Sequence, residues 1–271
     1  MRSHERTPGR RTGRGAEHDR LADRRFRALG IEPGETLLVH ASLSALGWTC
    51  GGRQAVCDAL FESVGESGTI VVPTHTGQCT DPADWSDPPV PDDWVGTIRE
   101  ERPAYRPAIT PTRGVGAVPE CFRTYPDAIR SRHPTVSFAA RGSKARAIVA
   151  GHELDYGLGE GSPLARIYEQ SGRVLLCGVG HEANTSLHLA EYRAELPHGT
   201  ARNSAPLVRD GKRVEVEYED IETRTDDFAE LGVDFEREIG LVEGAVGAAT
   251  TKLIDQRDLV DFAVDWFEEN R

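Results

Sequence analysis

Between Thr36 and Pro73 the chain sets a strand, a helix and a second strand in immediate succession, and that order leaves few folds open to it. Thr36-Leu37-Leu38-Val39-His40 reads as a buried strand. Gly51-Gly52 then opens a helix whose apolar positions Val56, Ala59, Leu60 and Val64 fall at helical spacing, and Gly68 leads into the strand Thr69-Ile70-Val71-Val72-Pro73. The sequence suggests an α/β architecture. The clearest strand, Arg173-Val174-Leu175-Leu176-Cys177-Gly178-Val179, runs into a Gly-His turn and a helix from about Thr185 to Glu195.

Other elements follow the same logic. Leu21, Phe26 and Leu29 predict a short amphipathic helix ended by Gly30. Helices are expected around Val118 to Tyr125, from Ser143 to Ala150 and after Ser162-Pro163, with a strand near Thr135 to Ala140. A hairpin turning at Asp210-Gly211, a helix near Asp227, a short strand at Leu241-Val242 and a closing helix from Thr250 to Phe267 complete the chain. From Thr74 to Gly116 the periodicity disappears into prolines and aromatic residues, and loops of that length are usually functional. No internal repeat and no linker interrupts this pattern, so we expect one domain over residues 16–271 behind a disordered basic arm at 1–15.

With 271 residues, 38 % apolar and 28 % charged, the chain is long enough to bury a sizeable core. No run approaches the ~18 apolar residues of a membrane span, and the Arg-rich start lacks a secretory apolar block. A cytoplasmic protein is expected. Five scattered cysteines without a C-x-x-C pair argue for thiols rather than disulfides or thiolate zinc. Residues 1–27 hold nine arginines against four acids, which leaves the rest of the chain at −17 within an overall −12. Such a body repels nucleic-acid phosphates and favours cationic small molecules, although acidic surfaces also serve solubility alone.

The segment Gly178 to Glu191 is the most informative for chemistry. An apolar strand delivers its C-terminal end into a Gly-rich turn, the edge where open α/β sheets bind ligands. Asn184 can cap the next helix, His188 sits in its first turn, and Glu191 lies three residues further on. The helix macrodipole lowers the proton affinity of such a histidine, which suits it to act as a base. A satisfied core histidine is the competing reading. His181, His188 and Glu191 are also acceptable metal ligands, but their spacing matches no metal motif and no metal is expected. Gly178-x-Gly180 lacks the third glycine of a dinucleotide fingerprint, and Ser42, Ser44 and Ser186 lack the G-x-S-x-G elbow. After His40, the turn Ala41-Ser42-Leu43-Ser44 offers backbone amides to an anion or an amide-containing cofactor. Asp220 and Glu222, at the far end of the hairpin, are carboxylates of the kind a catalytic histidine needs as a partner.

With these segments in view, the chain resembles the aminoglycoside 3-N-acetyltransferases, also called antibiotic N-acetyltransferases, over roughly Leu21 to Phe267. The matching motifs are Leu37 to Leu43, Trp85 to Pro91, Thr110 to Gly116, Arg130 to Pro134, Ser162-Pro163-Leu164 and Leu175 to Glu191. The departures are small: Val115 stands where a Met is common, and the basic arm has no counterpart. The resemblance implies acetyl transfer from acetyl-coenzyme A to the 3-amino group of the 2-deoxystreptamine ring, on an α/β three-layer sandwich with a central mixed β-sheet. It implies His188 as catalytic base, Glu222 and Asp220 as the acids that orient it and meet the cationic substrate, and His40, Ala41, Ser42, Leu43, Ser44 and Thr74 at coenzyme A. His181, Glu191 and Asp81 join Asp220 and Glu222 on the acceptor side. The partners implied are an aminoglycoside and coenzyme A, with no nucleic acid and no membrane, in a monomer or homodimer. An acetyltransferase acting on another amine, a non-catalytic aminoglycoside-binding protein and a metal-dependent hydrolase are the alternatives.

Overall fold

The computed structural model describes residues 19–86 and 88–271, so the basic arm expected at 1–15 lies outside the described residues. The elements run in the order α1 (Asp19–Ala28), β1 (Thr36–Ala41), α2 (Gly52–Val64), β2 (Thr69–Pro73), α3 (Asp92–Glu101), α4 (Ala117–Phe122), β3 (Ile129–Arg130) and β4 (Phe138–Gly142). They continue with α5 (Ala145–Val149), α6 (Pro163–Glu169), β5 (Arg173–Cys177), α7 (Ser186–Arg193), β6 (Thr200–Arg209), β7 (Lys212–Ile221), α8 (Phe228–Glu238), β8 (Val242–Val246), β9 (Ala249–Asp255) and α9 (Gln256–Asn270). No helix among the described residues is long and apolar enough to cross a membrane.

Seven strands form one mixed sheet in the order β3-β4-β2-β1-β5-β9-β8. β1 lies between β2 and β5 and is parallel to both, while the outer pairings are antiparallel. Strand pleating sorts the apolar residues onto two faces. Leu38, Val71, Ala140, Val174, Leu176 and Ile254 pack with α5 to α9 in one core. Leu37, Val39, Ile70, Val72, Leu175, Cys177 and Leu253 pack with α1, α2 and α4 in the other. Helices therefore cover both faces of a mixed sheet, the three-layer α/β arrangement that the family resemblance implies.

Two expected elements differ. The closing helix expected from Thr250 is in fact β9 followed by α9: residues 249–255 pair with both β5 and β8, and Asp255 then caps α9 by accepting the Arg257 and Asp258 amides. The stretch from Thr74 to Gly116 contains α3, none of whose side chains is buried, so no apolar period announces it. β6 and β7 form a separate hairpin, turned at Asp210-Gly211 as expected. It is tied to the long loop by Arg102 with Glu215, by Asp81 with Ser204 Oγ (2.9 Å) and by the Tyr105 amide on Pro206 O (2.7 Å).

Candidate active site

The carboxyl ends of β1, β2 and β5 meet at one edge of the sheet, where the chain leaves β1 for β2 on one side while β5 pairs on the other. Ligand crevices of open α/β sheets form at such a switch point. A cleft of about 810 Å³ opens there. Its walls are His40 to Ser44 at the end of β1 and the turn after it, His75 after β2, Gly114 to Gly116 from the long loop with Ala117 at the start of α4, and Val179 with residues 182–185 after β5. His188 and Phe228 close it. Gly178, at φ +69°, allows the turn after β1 to pack against the end of β5. A Cβ there would lie 2.5 Å from the Ala45 Cβ.

Within that turn the Ser42 amide bonds Cys177 O (2.9 Å), and the amides of Ala45, Leu46 and Gly47 are taken up by Ser42 and Ser44. The Leu43 and Ser44 amides have no partner among the described residues. They are free to bind a polar group in the cleft. His40 is buried, and burial, then the neighbouring His188, lowers its pKa from the ordinary imidazole value to about 3. The same order of causes brings His75 to about 3. Both rings are neutral at physiological pH. His75 was missed at the sequence level because it lies in the aperiodic stretch.

α7 begins where Asn184 Oδ1 accepts the Ser186 amide (3.2 Å), which places His188 in the first turn. The His188 ring stands edge-on to Phe228 at 5.1 Å and donates from Nδ1 to Glu191 Oε2 at 2.6 Å. Glu191 is fully buried. Its other oxygen, Oε1, accepts the Arg224 amide (2.8 Å) and the Arg271 guanidinium (2.7 Å). With Nδ1 engaged, Nε2 is the ring nitrogen left for the cleft.

This geometry rearranges the expected roles. The carboxylate on the His188 ring is Glu191, not Glu222, because residues i and i+3 share a helix face. Glu222 is exposed beside Gly199 at the base of the hairpin. Glu191 is buried, both its oxygens are engaged within the protein, and it does not line the cleft. Asp220 shares the inward face of β7 with Val216 and Tyr218 and lies within the electrostatic reach of His188. Burial raises its pKa against the bond it accepts from the Tyr192 hydroxyl. Thr74 is fully buried and bonded to Arg130 Nε (3.0 Å) and Ser137 Oγ (3.1 Å), and it does not line the cleft although Pro73 and His75 do. His181 faces α8, where its Nε2 meets Glu236 Oε1 (3.1 Å) and a side chain on Gly232 would strike its ring. It therefore cannot join His188 and Glu191 in a metal set. Asp81 caps residues 82–84 and binds Arg99 (2.7 Å); burial acts against ionisation, but these bonds hold its carboxyl below the usual range.

Residues 130–134, singled out by the resemblance, support the cleft wall rather than line it. Arg130 bonds Thr74 O (2.5 Å) and Thr110 O (2.5 Å), pinning the long loop to the end of β2. His133 Nδ1 accepts the Val136 amide (3.1 Å) while Nε2 donates to Leu154 O (3.1 Å), so a second ring proton would face an amide donor. Burial lowers its pKa to about 4. The unfolded chain takes up this proton near pH 6.5 and the native state only near 4. Stability is therefore lost as pH falls through that window, by up to roughly 1.4 kcal/mol per pH unit for one such residue. Tm is expected to fall from pH 7 to pH 5, and less steeply in His133→Asn, whose amide oxygen can take the place of Nδ1. Equal slopes in thermal melts of the two proteins would contradict this.

Residues 38–268 match the family described as aminoglycoside 3-N-acetyltransferase. The aminoglycoside N(3')-acetyltransferase-like protein YokD of Bacillus subtilis is 45 % identical, with 90 % of each chain covered. Its crystal structure superposes with a TM-score of 0.92 at 42 % identity, covering 94 % of this chain and 95 % of that one. Aminoglycoside N(3)-acetyltransferase VII of Streptomyces paromomycinus is 40 % identical over 92 % of this chain and 91 % of its own. Two ligand-bound structures each give a TM-score of 0.86. AAC-VIa bound to sisomicin is 32 % identical (95 % and 99 % covered), and AAC-IIIb with CoASH is 30 % identical (94 % and 97 %).

Proposed function

The chain belongs to the aminoglycoside 3-N-acetyltransferase family and is an acyltransferase that uses acetyl-coenzyme A; from that premise we propose that it acetylates the 3-amino group of the 2-deoxystreptamine ring of aminoglycosides, with His188 as general base and antibiotic resistance as the result. One observation carries the assignment of the base: His188 spans the distance between the buried Glu191 carboxylate and an open cleft at the carboxyl edge of the sheet.

The acceptor amine of an aminoglycoside is mostly protonated at neutral pH and must lose protons to form an amide. His188 Nε2 takes a proton from this nitrogen while Glu191 holds Nδ1–H and stabilises the imidazolium. Acetyl-coenzyme A supplies the acetyl group as a thioester. The new C–N bond replaces the C–S bond, and the departing thiolate recovers a proton. The turn after β1, with its free Leu43 and Ser44 amides, suits the pantetheine end of coenzyme A, the molecule bound in the AAC-IIIb structure. Asp220 and the net negative body offer counter-charge to a polycation of the kind AAC-VIa binds.

Incubating purified protein with acetyl-coenzyme A and a panel of aminoglycosides, while following thiol release, tests this reading. Turnover is expected with 2-deoxystreptamine drugs; tight drug binding without thiol release would favour sequestration instead. Electrostatic steering adds a second expectation. The acceptor KM should rise several-fold as ionic strength increases and the Debye length shrinks to about 8 Å, while that for acetyl-coenzyme A should respond less in this direction. An acceptor KM flat across that range would remove steering from the account.

A further inference from the structure

A histidine that acts as a base must be neutral between turnovers, so it cannot also be the permanent counter-ion of a buried carboxylate. Glu191 is fully buried and bonded to His188. The cation beside it, shared with Asp227, is Arg271. Its side chain is only 7 % exposed, and one guanidinium nitrogen sits 2.7 Å from Glu191 Oε1. The remaining nitrogens are fixed from the other side, by Asp227 at 2.7 and 2.6 Å and by Arg224 O at 3.2 Å, and the plane lies over the Phe267 ring at 3.8 Å. Arg271 does not line the cleft.

Resting on the reading of His188 as general base, we propose that Arg271 is a positioning residue for acetyl transfer, whose guanidinium holds the Glu191 carboxyl turned toward His188. A rigid fork that binds two carboxylates at once fixes the Glu191 rotamer; rotating Oε2 away from His188 would break the bonds on Oε1 as well. A lysine in its place would keep the charge but could not reproduce the fork, so Arg271→Lys is the conservative variant.

The test is a double-variant cycle on the full chain, with thiol release giving kcat and KM and thermal melts reporting folding. Arg271→Met is expected to lower kcat about tenfold or more, with the acetyl-coenzyme A KM changed less than about threefold, and Arg271→Lys to recover part of the loss. Added to Glu191→Gln, Arg271→Met should cost little further, because it acts through that carboxylate. A folded Arg271→Met with wild-type kcat, or losses that multiply in the double variant, would overturn the proposal. Should Arg271→Met fail to fold, Arg271→Lys takes its place in the cycle with the same criteria. His188→Ala assayed alongside separates the two claims: turnover lost there but not in Arg271→Met overturns the positioning role alone, and turnover kept in both overturns the base assignment.

Discussion

His188→Ala is expected to lower kcat by ~10² or more, the usual scale of a general-base contribution, while leaving acetyl-coenzyme A affinity within a few-fold. The ring is 15 % exposed at the cleft, and its main packing partner is Phe228, so its loss should leave a well-folded protein. A purely structural histidine would give the opposite result, a lowered Tm with turnover per folded molecule nearly unchanged. Thermal stability and single-turnover acetyl transfer measured on one sample distinguish these cases. A folded variant retaining more than about a tenth of wild-type kcat would defeat the assignment.

Glu191→Gln should be nearly as damaging. The amide has the shape of the carboxylate, but its NH₂ can face His188 and donate to Nδ1. That moves the ring proton to Nε2, so the nitrogen left for the cleft can no longer accept one. The same change in the Ser-His-Asp triad costs about 10⁴ in kcat, so a loss of ~10²–10⁴ is expected here. Removing one buried charge should cost only about 1–3 kcal/mol of stability, because the hydrogen-bonding shape is kept. Glu222→Gln, on an exposed residue with no contact to the ring, should cost far less activity. Steady-state kcat for both variants decides the point; a larger loss at Glu222 would return the orienting role to the hairpin.

Much of this site was visible in the amino-acid order, and the gaps have physical causes. The apolar run into Gly178, the Asn184 side chain that accepts the Ser186 amide at the start of α7, and the i, i+3 spacing of His188 and Glu191 depend on local geometry, which sequence carries well. Spacing places two residues on one helix face but does not say which carboxylate meets the ring. The sequence reading therefore gave orientation to Glu222 and Asp220, while the structure puts Glu191 on Nδ1. Arg271 lies eighty positions from Glu191, and only tertiary packing brings the two together. Likewise, Thr74 and His181 have the right chemistry beside the right strands, yet their side chains point into the protein. In the fold, β9 was hidden in an expected helix because its pairing partners on β5 and β8 are non-local.

The most direct measurement locates the acetyl group. Wild-type protein is incubated with acetyl-coenzyme A and a 2-deoxystreptamine aminoglycoside, and the product is analysed by mass and by two-dimensional NMR. One acetyl per thiol released is expected, carried on the 3-amino nitrogen of the 2-deoxystreptamine ring. An acetyl on another amine, or thiol release without acetylated drug, would contradict it.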